Sequence, residues 1–294
     1  MNEGKNTNNN TSIVNERTSG ENNSSGNVTG TTDKTDNGSG NSSQGNSDNT
    51  GDSGKADEGN TGSENEVDTP VVEEPPAYDY GKRVPLSEPV GDEYFDDAVF
   101  IGNSQTEGIL IYGQMKNATV YAGKGIMVDT IYTKDVVKNT DGTRMTIMKG
   151  LEINKFGKVY IMLGANELGW PDESFIKHYA KVIDDIKALQ PEAKIYINLI
   201  MPMAKSKSDN DKIYNNTNIN RFNDMIKAMA KEKQVYFIDS REAVADENGY
   251  LPEDAGTDGV HLGTEYYKKW FEYLKKHTVP DLAAENVVEN NDGE

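Results

Sequence analysis

The 294-residue sequence has no cysteine and only three histidines, His178, His261 and His277. Without cysteine there is no disulfide framework, no thiolate nucleophile and no Cys-ligated zinc site, and both reducing and oxidising compartments stay open. Long apolar runs are missing too. No stretch approaches the roughly 18 consecutive apolar residues that a transmembrane helix needs, so no membrane-spanning segment is expected. A basic stripe is also lacking. The formal net charge is -19, and an acidic chain repels phosphate backbones, which excludes nucleic acid as a partner. Finally, no aromatic residue precedes Tyr78.

The polarity is local. Residues 1–76 hold fourteen acids and four bases, and 281–294 hold five acids and no base, leaving 30 acids and 26 bases in 77–280. Runs such as NTNNNTS and DNGSGNSSQGNSDNTG cannot bury enough apolar area to offset the entropy of ordering. Residues 1–76 are therefore expected to be a disordered polar and acidic linker, and 281–294 an acidic disordered tail. The linker would have a root-mean-square reach of about 50 Å. The 77–280 segment is long enough for one well-sized core. Such a spacer suits an extracellular or bacterial cell-surface protein held by its N-terminal tether. Met1 is followed by polar residues without a basic and apolar leader, so an export signal, if there was one, is expected to have been removed.

From residue 97, short apolar runs alternate with longer stretches of helical period, which predicts an α/β fold with a parallel sheet. The predicted strands are 98–102, 119–123, 158–164, 194–200 and 235–239. Phe175, Ile176, Tyr179, Val182, Ile183, Ile186 and Leu189 would cover one face of a helix between Pro171 and Pro191. Phe222, Met225, Ile226 and Met229 mark a second helix, and Tyr267, Trp270, Phe271 and Leu274 a third. No repeat at solenoid or propeller periods is present, so one doubly wound domain is expected, with its ligand site beyond the carboxyl ends of the strands.

Those strand ends carry the chemistry. They read Gly102-Asn103-Ser104-Gln105-Thr106, Gly123-Lys124-Gly125, Gly164-Ala165-Asn166-Glu167 and, near the last helix, Asp258-Gly259-Val260-His261. Each alone has a plain explanation as a turn, a flexible connection or a helix cap. Together they supply what acyl transfer needs. A hydroxyl is a weak nucleophile until a base takes its proton, the base needs an orienting acid, and the developing oxyanion needs fixed donors. Ser104, His261, Asp258 and the Gly125/Asn166 pair fill those roles.

The four blocks and their order resemble the SGNH (GDSL-type) hydrolase family over about residues 95–277. The resemblance implies a flavodoxin-like three-layer α/β/α sandwich and ester hydrolysis through a covalent acyl-enzyme, with no metal or organic cofactor. It implies Ser104 as nucleophile, His261 as base and Asp258 as its orienting acid. The oxyanion hole would be formed by the N–H groups of Ser104 and Gly125 and the side-chain amide of Asn166, with Gly123 as the alternative to Gly125. Two positions depart from the family pattern, since Asn103 and Glu167 stand where the family usually has Asp. The nucleophile motif is not Gly-x-Ser-x-Gly, because position 106 is Thr, which argues against the larger α/β-hydrolase family.

The expected function is a serine esterase acting on small acyl esters, O-acetyl above all, of a carbohydrate, with Trp170 and Tyr112 either stacking on sugar or packing in the core. A short-chain lipase or thioesterase, or a non-catalytic carbohydrate-binding module of the same fold, are the alternatives. Gly123-Lys124-Gly125 lacks the third glycine of a dinucleotide fingerprint. Ser208-Asp209-Asn210-Asp211 lacks the Gly and distal Glu of an EF-hand and reads as a solvated loop.

Overall fold

The computed structural model describes residues 78–112, 115–139 and 141–279. The predicted linker 1–76 and tail 281–294 lie outside them. In chain order the elements are β1 (Ala98–Gly102), α1 (Ser104–Tyr112), β2 (Thr119–Ala122), β3 (Asp135–Lys138), β4 (Arg144–Thr146), α2 (Ile147–Ile153), β5 (Lys158–Met162), α3 (Asp172–Leu189), β6 (Lys194–Asn198), α4 (Lys205–Asp209), α5 (Asn216–Lys233), β7 (Tyr236–Ile238), α6 (Arg241–Val244) and α7 (Thr264–Lys275). Five strands form one parallel sheet in the order β2-β1-β5-β6-β7. This is the flavodoxin-like order among the sheet strands.

The strands are buried on both faces, and the alternation of their side chains divides the core in two. Val99, Ile101, Val159, Ile161, Ile195 and Ile197 face one side, where Phe175, Tyr179, Phe222 and Ile226 of α3 and α5 cover them. Phe100, Tyr160, Met162 and Tyr196 face the other, under Ile109 of α1 and Tyr267, Trp270, Phe271 and Leu274 of α7. The result is the expected three-layer α/β/α sandwich. On the second face, rings stack across neighbouring strands, with Phe100–Tyr160 at 4.8 Å, Tyr160–Tyr196 at 4.7 Å and Tyr196–Tyr236 at 5.1 Å between centroids. Such pairs add about 0.5–1.5 kcal/mol each beyond area burial.

All five predicted strands and all three predicted helices are present. The antiparallel β3–β4 hairpin and the helices α1, α2, α4 and α6 are additional. α1 left no apolar stripe to read, because its buried residues are Gln105, Thr106, Gly108 and Ile109. Tertiary packing makes it. A Cβ on Gly108 would lie 1.9 Å from the Tyr267 hydroxyl, so only glycine lets α1 come this close to α7.

Sheet order positions the site. From β1 the chain moves outward to β2, then returns across β1 to begin β5 on its other side. The carboxyl end of β1 is thus the topological switch point, flanked by the ends of β2 and β5.

Candidate active site

Ser104 is the second residue after β1 and opens α1, so its N–H has no intrahelical acceptor. Asn103 caps the helix. Its side-chain carbonyl accepts the Gln105 N–H at 3.0 Å while its backbone carbonyl accepts from Glu107 at 2.9 Å. An amide serves this purpose as well as a carboxylate, so the Asp-to-Asn departure keeps the turn. A Cβ on Gly102 would lie 2.1 Å from the Thr106 hydroxyl and 2.6 Å from the Met162 carbonyl, which accounts for the glycine before Asn103.

The loop before α7 brings the base. Ser104 Oγ and His261 Nε2 are 2.8 Å apart, and His261 Nδ1 is 2.6 Å from Asp258 Oδ2. The other oxygen, Asp258 Oδ1, accepts the backbone N–H groups of Val260 at 3.0 Å and His261 at 2.8 Å. Asp258 thus shapes its own loop and orients the ring. Partial burial of Asp258 acts to raise its pKa, but the His261 N–H, the His261 ring and the Val260 N–H outweigh it and hold the carboxyl down at about 2. Two contacts lock α1 to this loop and to α7: Gln105 Nε2 donates to the Val260 carbonyl at 3.1 Å, and the Tyr267 hydroxyl donates to the Gln105 carbonyl at 2.5 Å.

Asn166 arrives from the other side of the switch point, on the loop after β5. Gly164 has φ +111°, a conformation that favours glycine, and starts the turn. The Asn166 side-chain amide donates to the Ile126 carbonyl at 2.9 Å. An amide nitrogen has two protons, so this bond fixes its direction and leaves one proton for another acceptor. Gly125, at φ +70°, lies next to Ile126, and its carbonyl accepts Lys134 Nζ at 2.8 Å. The Gly123 N–H is engaged by the Gly102 carbonyl at 3.3 Å.

Asn103, Ser104, Gln105, Asn166 and His261 line one cleft of about 140 Å³ together with Ala165, Met203, Lys207, Tyr214 and Val260. Of these, Met203, Lys207 and Tyr214 were not singled out from sequence. Lys207, on α4, and Tyr214 flank the 208–211 stretch read as a solvated loop, and they form a wall of the cleft. Their only signal was an aromatic within an otherwise polar connection. Tyr112 and Trp170 do not line this cleft: Tyr112 stacks on Tyr267 at 4.8 Å, and Trp170 lies edge-on to His178 at 5.7 Å. Both are half-buried and pack against the core. Asp209 pairs with Lys205, and Asp211 Oδ1 accepts the N–H groups of Ile213 and Tyr214 at 2.9 Å each. The described residues hold no group of three or more candidate metal ligands, and no described helix is long and apolar enough to cross a membrane.

A hydroxyl, an imidazole and a carboxylate in line, beside an oriented amide and a helix N-terminus, can carry out acyl transfer through a serine. The model of the GDSL-like Lipase/Acylhydrolase family matches residues 100–269, and the chain belongs to that family: it is a serine ester hydrolase of the SGNH type. No curated protein matches the chain. Similar solved structures include a lipolytic protein of the G-D-S-L family from Desulfitobacterium hafniense, at 19% identity and TM-score 0.47 over 62% of this chain and 98% of that one. A GDSL-like lipase from Bacteroides thetaiotaomicron is 19% identical with TM-score 0.46, covering 65% and 90%. An acetylxylan esterase from Geobacillus stearothermophilus is 13% identical with TM-score 0.44, covering 62% and 94%.

Proposed function

We propose that this hydrolase removes small acyl groups, O-acetyl above all, from a carbohydrate through an acyl-enzyme on Ser104. The observation that carries the reading is the unbroken relay from Ser104 Oγ through the His261 ring to Asp258, at 2.8 and 2.6 Å. His261 Nε2 takes the hydroxyl proton as Oγ bonds to the ester carbonyl carbon. The tetrahedral intermediate then expels the alkoxide, which receives that proton and leaves as the alcohol. Water attacks the acyl-serine in the same way, His261 again taking and returning the proton, and the acid leaves with Ser104 restored.

The oxyanion is assigned to the N–H groups of Ser104 and Gly125 and to the second amide proton of Asn166. Gly125 is preferred over Gly123 because the Gly123 N–H is already engaged. Asn166→Ala is expected to lower kcat by about 10²–10³ with KM little changed, since this donor acts mainly on the transition state. Steady-state kinetics on an aryl acetate measure it, and a loss confined to KM would remove Asn166 from the hole.

The acyl and alcohol sides are read from the cleft. Its volume of about 140 Å³ suits an acetyl group better than a long chain. Tyr214, 39% exposed on the rim, offers a ring to the alcohol portion, and Lys207 offers a cation to hydroxyl oxygens. Tyr214→Ala should raise KM for an acetylated polysaccharide by about three- to tenfold, more than for an aryl acetate. Acetate release from acetylated xylan and from aryl esters of two to eight carbons is the direct test. Preference for octanoyl over acetyl esters would favour a lipase instead. The same reading places the enzyme outside the cell, with residues 1–76 as its spacer from the surface.

A further inference from the structure

Glu167 directly follows Asn166 and takes no part in the steps above. Its side chain is fully buried, at 0% exposure. Oε1 accepts the Val128 N–H at 2.7 Å, while Oε2 is buried with no hydrogen-bond partner. Its backbone is pinned as well: the N–H donates to Gly164 at 3.3 Å, and the carbonyl accepts from Trp170 at 2.7 Å. Glu167 and Asn166 therefore grip one segment from adjacent positions, Asn166 at the Ile126 carbonyl and Glu167 at the Val128 N–H. That segment begins at Gly125, the assigned oxyanion donor.

The two titratable groups that act on this carboxyl, or are acted on by it, are Asp129, beside Val128, and the buried phenol of Tyr179 on α3. Neither can supply a positive charge. Ile126, Val128, Leu168 and Tyr179 belong to the apolar core on this side of the sheet. A carboxylate here would have one oxygen satisfied and the other bare, and solvating it would require water to enter between the two loops. A neutral acid lowers that cost, because it buries no charge. Burial pushes the Glu167 carboxyl up to about 7, against the lowering effect of the Val128 N–H and with a further rise from Asp129.

We propose that Glu167 is a positioning residue that, as a neutral carboxylic acid, holds the Gly125–Val128 segment in register with Asn166, and that its ionisation disturbs this register and slows acyl transfer at alkaline pH. The inference rests on the esterase reading above and adds a proton switch to its oxyanion hole.

The test is the pH dependence of kcat/KM on an aryl acetate in the full-length chain, for wild type, Glu167→Gln and Glu167→Asp. Glutamine keeps an acceptor for Val128 and places N–H donors at the second position, as the neutral acid does with its O–H. Wild-type activity should fall about tenfold or more from pH 7 to pH 9, because the neutral population drops with each unit above its midpoint. The pH 9 to pH 7 ratio should be flat in Glu167→Gln, and Glu167→Asp should lose kcat with KM kept. An alkaline fall that persists in Glu167→Gln, or no fall in wild type, overturns the proposal.

A second readout does not depend on activity or on the Glu167 variants folding. In the infrared spectrum of Ser104→Ala, a protonated carboxyl C=O band should be present at pH 6 and titrate away near pH 7. Its absence at pH 6 overturns the proposal. If Ser104→Ala hydrolyses the ester as fast as wild type while the band is present, the esterase reading is what has failed.

Discussion

Ser104→Ala and His261→Ala are each expected to lower kcat on an aryl acetate by about 10⁴–10⁶, and the double variant to be no slower than either single one. The reason is the 2.8 Å contact between Ser104 Oγ and His261 Nε2. Without the base the hydroxyl keeps its proton and is a poor nucleophile, and without the hydroxyl the base has nothing to activate. The two side chains act as one unit, so their losses do not add. What survives is the contribution of the oxyanion donors and of binding. Residual activity within a hundredfold of wild type in Ser104→Ala, or additive losses in the double variant, would rule out the acyl-enzyme on Ser104. Mass spectrometry after a rapid quench should find one acyl adduct on wild type and none on Ser104→Ala.

Asp258→Asn should lower kcat by about 10³–10⁴ while leaving the fold in place. The carboxylate does two separable jobs. Oδ1 accepts the N–H groups of Val260 and His261, and an asparagine oxygen can do the same. Oδ2 accepts the proton on His261 Nδ1. There, asparagine presents its own N–H, which favours the tautomer protonated on Nε2, and that nitrogen then cannot take the serine proton. The variant should therefore melt near wild type by circular dichroism yet be almost inactive. Equal losses of structure and activity would reduce Asp258 to a loop brace.

The acid dependence of Asp258 has a definite sign. Its carboxyl is lowered from 3.8 to about 2, so its contribution to stability is present above the ordinary aspartate range and is lost as pH falls through about 2. A decline in activity seen above pH 4 therefore does not come from Asp258. Glu167 has the opposite sign. Its carboxyl is raised from 4.5 to about 7, so the folded state binds the extra proton and stability declines as pH rises between those values.

The strands could be read from the sequence because each is a run of apolar, largely β-branched or aromatic residues ended by glycine or a polar turn, as in Ala98–Gly102 and Lys158–Met162. Helices α3, α5 and α7 were readable because each rests one apolar stripe on the sheet. α1 was not, since glutamine, threonine and glycine form its buried face. Their burial depends on partners such as Tyr267 and Val260, about 160 positions away. The β3–β4 hairpin was missed because its strands span four and three residues, too short for an alternation to register.

The same division holds at the site. By itself the sequence determined which chemistry was available: no thiol, scarce histidine, and four polar blocks at strand or helix boundaries in one order. Local chemistry settles such features, because turn residues and strand periodicity act over a few positions. Only the tertiary structure decided that Ser104 meets His261 across 157 positions, that Tyr214 rather than Trp170 or Tyr112 lines the cleft, and that Glu167 is a buried acid with one bare oxygen. Those outcomes depend on strand order and on the packing of helices over the sheet. Proximity and desolvation between distant segments come from the folded core as a whole, and no local stretch of residues encodes them alone.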